Sequence, residues 1–89
     1  MTDSIRQVEE SANWANSIGR DHGDDVAKYM MYERGVVPWD YPRSVFVSIC
    51  MAEPVEPPKL LDCERVRQAY EGGKRYAIMS FYDMAVSTV

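Results

Sequence analysis

The sequence predicts a mainly α protein: a small single-domain helical bundle of three to four helices within residues 1–89. Three observations support this class. Apolar residues recur at three- and four-residue steps in the first third, the same spacing returns after residue 62, and a proline-rich stretch separates the two. A chain of 89 residues has room for one thin hydrophobic core. The alternative class is α+β, with strands near 44–52 and 75–82.

Two helices joined by a short loop are predicted for the first third of the chain. The apolar positions of the first helix are Ile5, Val8, Ala12, Ala15 and Ile18. They indicate a helix over residues 4–18, and Gly19 is placed to end it. Asp24 and Asp25 suit the N-terminus of a second helix, which meets Gly35. The four residues after Gly19 then form a loop, so the two helices are expected to pair as an antiparallel hairpin.

The middle of the chain is predicted to hold an irregular connector, one further element and a linker. Residues 36–41 contain Pro38, and Pro42 follows directly. Residues 45–51 are apolar and β-branched enough for a buried strand, but the residues that lead up to Pro42 also suit the start of a helix. We predict a helix here. Residues 53–59 contain three prolines and are predicted to form an extended linker inside the domain.

A long helix is predicted to begin at residue 62. Its small and apolar residues recur at three- and four-residue steps and form one stripe, which we call the seam. After Cys63, the seam comprises Val66, Tyr70, Gly73, Ala77, Ser80 and Met84. Because small residues allow close approach of another helix, these six are assigned to self-association, and a homo-oligomer is expected. The alternative is a turn at the adjacent pair Gly72 and Gly73 followed by a strand over 75–82, since each glycine disfavours a helix by about 1 kcal/mol.

Charge is distributed unevenly along the chain. The formal net charge is −4, and residues 1–40 hold eight acidic and four basic side chains, whereas residues 41–89 hold six of each. No stretch has more than two consecutive lysines or arginines. Direct nucleic-acid binding is therefore not expected, because it requires clustered basic residues. An acidic half instead attracts a basic protein surface, including one that itself binds nucleic acid.

Aromatic residues and methionines suggest where such a partner binds. Residues 29–32 read Tyr-Met-Met-Tyr, and a helix cannot point four consecutive side chains inward. Tyrosine, tryptophan and methionine are typical of interfaces. The predicted partner-binding residues are Asp24, Asp25, Tyr29, Tyr32, Trp39, Asp40 and Tyr41.

The predicted function is that of a small acidic protein-binding module. It is expected to dock on a basic partner and inhibit or sequester it, as inhibitors encoded by viruses and mobile elements do. The alternative is an oligomeric helical protein that binds a nucleotide-like anion near residues 72–75, where two glycines precede Lys74 and Arg75. The full phosphate-binding pattern of glycine spacing with a following serine or threonine is absent.

Catalysis, metal binding, cofactors and membrane insertion are not predicted. His22 is the only histidine, and neither Cys50 nor Cys63 has a recognisable nucleophile context. Residues 21–25 contain four potential metal ligands, but these lack the ligand spacing of a calcium-binding loop. No apolar run approaches the roughly 18 to 20 residues of a membrane span. With no apolar stretch near residue 1, a cytoplasmic location is expected.

Overall fold

The architecture consists of two long parallel helices and one short helix. The computed structural model describes residues 2–53 and 63–88, with the side chains of residues 5–53 and 63–88. Helix α1 spans Thr2–Tyr32, a 3₁₀ turn spans Pro38–Asp40, α2 spans Arg43–Ala52 and α3 spans Glu64–Ser87. This part of the chain contains no strand, so the mainly α prediction is confirmed.

The predicted hairpin in the first third is wrong, because α1 runs without interruption through the expected loop at 20–23. Gly19 and Gly23 lie inside the helix, where the backbone of α3 passes directly over them. A Cβ atom at Gly19 would overlap the carbonyl oxygen of Tyr70, and one at Gly23 would overlap that of Lys74. These glycines therefore allow two backbones to approach closely, and they do not end a helix.

The same crossing corrects the predicted role of the seam. A Cβ atom at Gly73 would overlap the carbonyl oxygen of Asn16, and the side-chain amide of Asn16 donates to the carbonyl of Ala69 over 3.2 Å. Val66 and Tyr70 are also buried inside the chain. The first half of the seam thus packs against α1 of the same molecule, so it does not offer a surface to a second copy.

The second half of the seam remains accessible. Ala77 and Ser80 are half-buried, and Met84 is exposed. Helix α3 continues through this region, so the alternative strand over 75–82 is not formed. Gly72 is tolerated within the helix, where it faces open space.

The end of α1 and the start of α2 lie close to their predicted positions. Gly35 has a φ of +70°, a conformation that favours glycine, and the N–H of Val36 donates to the carbonyl of Met30 over 2.8 Å. The chain then turns and enters α2 directly after Pro42, so the helix prediction for this region is confirmed. Of the predicted linker at 53–59, only Glu53 belongs to the described residues.

Helix α2 lies antiparallel to α3 and is fixed by one aromatic residue. Phe46 is fully buried, and its ring centroid lies 6.4 Å from that of Phe81 and 5.6 Å from that of Tyr82. The cluster around it also contains Val26, Ala27, Met30, Cys50 and Ile78. A second cluster lies between α1 and α3 and consists of Ala12, Ala15, Val66, Ala69 and Tyr70. Both clusters include α3 residues, so α3 is the central element of the fold.

Candidate functional site

An open apolar groove lies between the C-terminal halves of α1 and α3, and we call it the α1–α3 groove. Its volume is about 680 Å³. Met31 and Tyr32 of α1, Trp39 of the 3₁₀ turn, and Phe81 and Met84 of α3 line it. Three elements therefore place large apolar side chains around one depression that a partner can reach.

Trp39 is held over this groove by its short turn. Pro38 before it is buried, and the N–H of Tyr41 after it donates to the carbonyl of Pro38 over 3.1 Å. The hydroxyl of Tyr82 on α3 donates to the carbonyl of Tyr41 over 2.7 Å. The turn is thus tied to α3 on one side of Trp39 and anchored in the core on the other, while the indole remains 46% exposed.

An ion pair lies at the edge of the α1–α3 groove. The Lys28 ammonium lies 2.7 Å from a carboxylate oxygen of Asp24, one helical turn before it. This hydrogen bond and the charge of Asp24 raise the pKa of Lys28. The charges at this edge therefore balance, whereas Asp21 and Asp25 are exposed on α1 and form no ion pair with another described residue.

The groove combines residues that the sequence analysis assigned to two separate surfaces. From the predicted partner-binding set it contains Asp24, Tyr32 and Trp39, and from the seam it contains Ala77, Ser80 and Met84. The other predicted partner-binding residues are exposed but do not line it: Asp25, Tyr29, Asp40 and Tyr41.

Sequence reasoning missed five residues of this groove: Lys28, Met31, Phe81, Ala85 and Thr88. Phe81 and Thr88 extend a second α3 row that begins at Ala77, and Met31 was noted only as part of an aromatic run. The spacing of 77, 81, 85 and 88 places these positions on one helix face and is a signal that could have identified the α3 side.

A second groove runs between α2 and α3, and we call it the arginine groove. Its volume is about 590 Å³. Val47, Met51 and Met79 supply its apolar surface, and Arg43 and Arg75 supply positive charge. Sequence reasoning did not identify this groove, because its two arginines are 32 positions apart and meet only through the antiparallel packing of α2 on α3.

The predicted anion site at residues 72–75 does not form a phosphate-binding loop. These residues lie in the interior of α3, where backbone N–H groups take part in helical hydrogen bonds. Gly73 and Lys74 are also buried against α1. A ligand phosphate therefore meets neither free amides nor an accessible lysine here, and only Arg75 points to solvent.

His22 connects α1 to α3. Its Nδ1 atom lies 2.6 Å from the Tyr70 hydroxyl, and the two rings meet edge to face with centroids 5.5 Å apart. Burial raises the pKa of Tyr70, so its hydroxyl stays protonated at neutral pH. In the part of the chain that the structure describes, no group of three or more His, Cys, Asp or Glu side chains is arranged to hold a metal ion.

Comparison with known proteins does not assign a family. No family model matches the sequence, and no curated protein or solved structure matches the chain. Among the described helices, none combines the length and the apolar character needed to cross a membrane. The geometry of the α1–α3 groove and the charge around it therefore carry the proposed function.

The two cysteines are expected to differ sharply in reactivity. Both thiols are free, and burial raises the pKa of Cys50 to about 11, whereas Cys63 is partly exposed. At pH 8 a pKa of about 11 leaves roughly one thiol in a thousand ionised, and the thiolate is the reactive form. Iodoacetamide should add once to the native protein and twice in denaturant, as read by intact mass. A Cys63→Ser variant should lose the fast adduct, and two fast adducts on native protein would contradict the burial of Cys50.

Proposed function

We propose that the chain is a small protein-binding module whose α1–α3 groove docks on a partner with a basic surface and so inhibits or sequesters it. The observation that supports this most is the convergence of Tyr32 and Trp39 with Met84 in one open groove. Tryptophan and tyrosine are the residues most enriched among energetically dominant interface positions, and methionine adapts to irregular partner surfaces.

The apolar part of the proposed interface is already exposed to water. Tyr32 is 72% exposed and Trp39 is 46% exposed, and both belong to elements fixed by the core. Burying apolar surface contributes roughly 25 cal/mol of favourable free energy per Å². A preorganised groove also avoids part of the entropy cost of binding. A groove between two helices suits an amphipathic helix of the partner, with its apolar face turned inward.

Charge favours a partner whose surface around that helix is basic. Asp24 is offset by Lys28, but Asp21 and Asp25 on the exposed face of α1 are not paired with another described residue. The net charge of −4 adds a general attraction for a basic partner surface. Electrostatic complementarity of this kind accelerates encounter and selects against acidic partners.

Inhibition follows from competition for the same basic surface. A partner that uses lysines and arginines to hold an anionic ligand, such as a nucleic acid, loses access to that ligand while the module covers them. The proposal assigns no catalytic step to the module. We also propose that the module acts in the cytoplasm and is an inhibitor encoded by a virus or mobile element, because its small size and negative charge suit such a role.

Replacing Trp39 by alanine should weaken partner binding without unfolding the protein. The partner is first identified by affinity purification with mass spectrometry, and then titrated in purified form against wild type and variants. Loss of an interface anchor costs about 2 kcal/mol, or roughly 30-fold in Kd. Because Trp39 is half exposed, its removal should leave the melting temperature nearly unchanged.

The chain offers a matched control in its other tryptophan. Trp14 is 50% exposed and lies outside the α1–α3 groove, so Trp14→Ala should bind the partner as wild type does. The association rate of all folded forms should fall as salt rises. Unchanged affinity of folded Trp39→Ala, or a loss confined to Trp14→Ala, would refute the proposal.

A further inference from the structure

The arginine groove presents positive charge and apolar surface together in a protein that is acidic as a whole. The Arg43 guanidinium lies 2.9 Å from Asp83, so that ion pair offsets its charge. Arg75 is exposed and forms no ion pair with another residue that the structure describes. The Arg43–Asp83 pair lies at one end of the groove and Arg75 at the other. Asp83 follows Arg75 by eight residues on α3, so the two ends are about 12 Å apart. The complement to such a groove is an acidic helical segment with an apolar anchor.

A segment with this chemistry lies on the outer face of α1. Gln7, Glu10, Ser11 and Trp14 surround a shallow depression of about 450 Å³. Trp14 is 50% exposed, and Glu10 lies one helical turn before it, so both side chains leave α1 in the same direction. The neighbouring Glu9 pairs with Arg65 over 3.4 Å, whereas Glu10 is exposed and has no ion pair among the described residues.

We infer that the arginine groove binds the outer face of α1 from a second copy of this chain. Trp14 of one copy lies against Met51 and Met79 of the other, because thioether sulfurs pack favourably on aromatic rings. Glu10 of the first copy then supplies a negative charge to Arg75 of the second, which forms no ion pair with a described residue of its own chain. This contact differs from the one predicted through the seam, and it does not depend on the proposed function of the α1–α3 groove.

The two surfaces belong to different sides of the molecule, which determines the symmetry of the contact. Ala12 packs against α3 and lies on the side of α1 opposite Trp14, so Trp14 points away from α3 and from its own arginine groove. Any assembly therefore keeps one unused Trp14 face at one end and one unused groove at the other. Such a head-to-tail contact produces chains that lengthen with concentration, not a closed two-fold dimer.

The test uses two variants, each defective in one half of the contact. Sedimentation equilibrium of the wild-type chain should give an average mass that rises above 10.2 kDa with concentration and returns toward it as salt is added. Trp14→Ala and Arg75→Glu should each remain monomeric, since one lacks the anchor and the other the groove charge. An equimolar mixture of the two should form a dimer and nothing larger, because only one intact face and one intact groove remain per pair.

Controls separate this contact from folding and from net charge. At a concentration where the wild type is monomeric, circular dichroism should give both variants the helicity and melting temperature of wild type. Arg34→Glu makes the same charge change at an exposed position outside both grooves and should assemble as wild type does. A wild-type mass that stays at 10.2 kDa up to about 1 mM excludes even a Kd of about 1 mM and overturns the inference. So does a mixture that stays monomeric while the wild type associates.

Discussion

Alanine at Gly73 is expected to destabilise the fold by about 3 kcal/mol, whereas alanine at the adjacent Gly72 is expected to stabilise it. At Gly73 the added Cβ would overlap the carbonyl oxygen of Asn16 and lie 3.2 Å from the amide nitrogen of Arg20. Both are backbone atoms, so α1 and α3 must separate, and overpacking of this kind costs about 1 to 3 kcal/mol or more. At Gly72 the Cβ meets nothing within 4 Å, and alanine gains about 1 kcal/mol of helix propensity over glycine.

Thermal unfolding followed by circular dichroism measures both effects. In a domain of this size 1 kcal/mol shifts the melting temperature by roughly 4 to 8 °C, so Gly73→Ala should lower it by at least about 12 °C. Gly72→Ala should raise it by about 4 to 8 °C. Two shifts of the same sign would mean that α1 and α3 do not cross at Gly73 in solution.

Truncation of Phe46 is the second change with a large expected effect. Its side chain is fully buried between α2 and α3 and contacts the rings of Phe81 and Tyr82. Phe46→Ala should therefore cost about 3 to 5 kcal/mol, the range for a large core side chain replaced by alanine. Urea unfolding at 25 °C gives the free energy directly, and the variant should be largely unfolded if the wild type has the usual marginal stability.

The preceding residue supplies the control for Phe46. Val45 is exposed on the same helix, and Val45→Ala should change the free energy of unfolding by no more than about 0.5 kcal/mol. Successive residues of an α-helix point about 100° apart. A larger loss at Val45 than at Phe46 would thus show that α2 presents a different face to α3.

Local signals in the sequence predicted which segments are helical better than where the first helix ends. The start of α2 after Pro42 and the turn at Gly35 follow from the conformational limits of proline and glycine, and both were predicted. Gly19 and Gly23 were misread, because a glycine suits a helix end and a close helix crossing equally well. Only the placement of α3 over these residues distinguishes the two.

For a related reason, the residues of the α1–α3 groove were predicted as two separate surfaces and not as one. Exposure of Tyr32 and Trp39 follows from sequence, since four adjacent large residues cannot all face a core and prolines stiffen the turn. That Met84 lies in the same groove depends on α1 and α3 running parallel. Helical periodicity defines the faces of each helix but not the relative direction of two helices that are far apart in the chain.

The crossing of α1 and α3 also determines when this protein can fold. The hydrogen bond from Asn16 to Ala69 joins residues 53 positions apart, so the crossing forms only after a long loop has closed. Isolated helices are marginal in water, and glycines at 19 and 23 weaken α1 further until α3 covers them. A nascent chain that ends before α3 therefore lacks its principal helix contact and remains sensitive to proteases. Folding during synthesis is expected to wait for α3 to leave the ribosome and then to occur in one cooperative step.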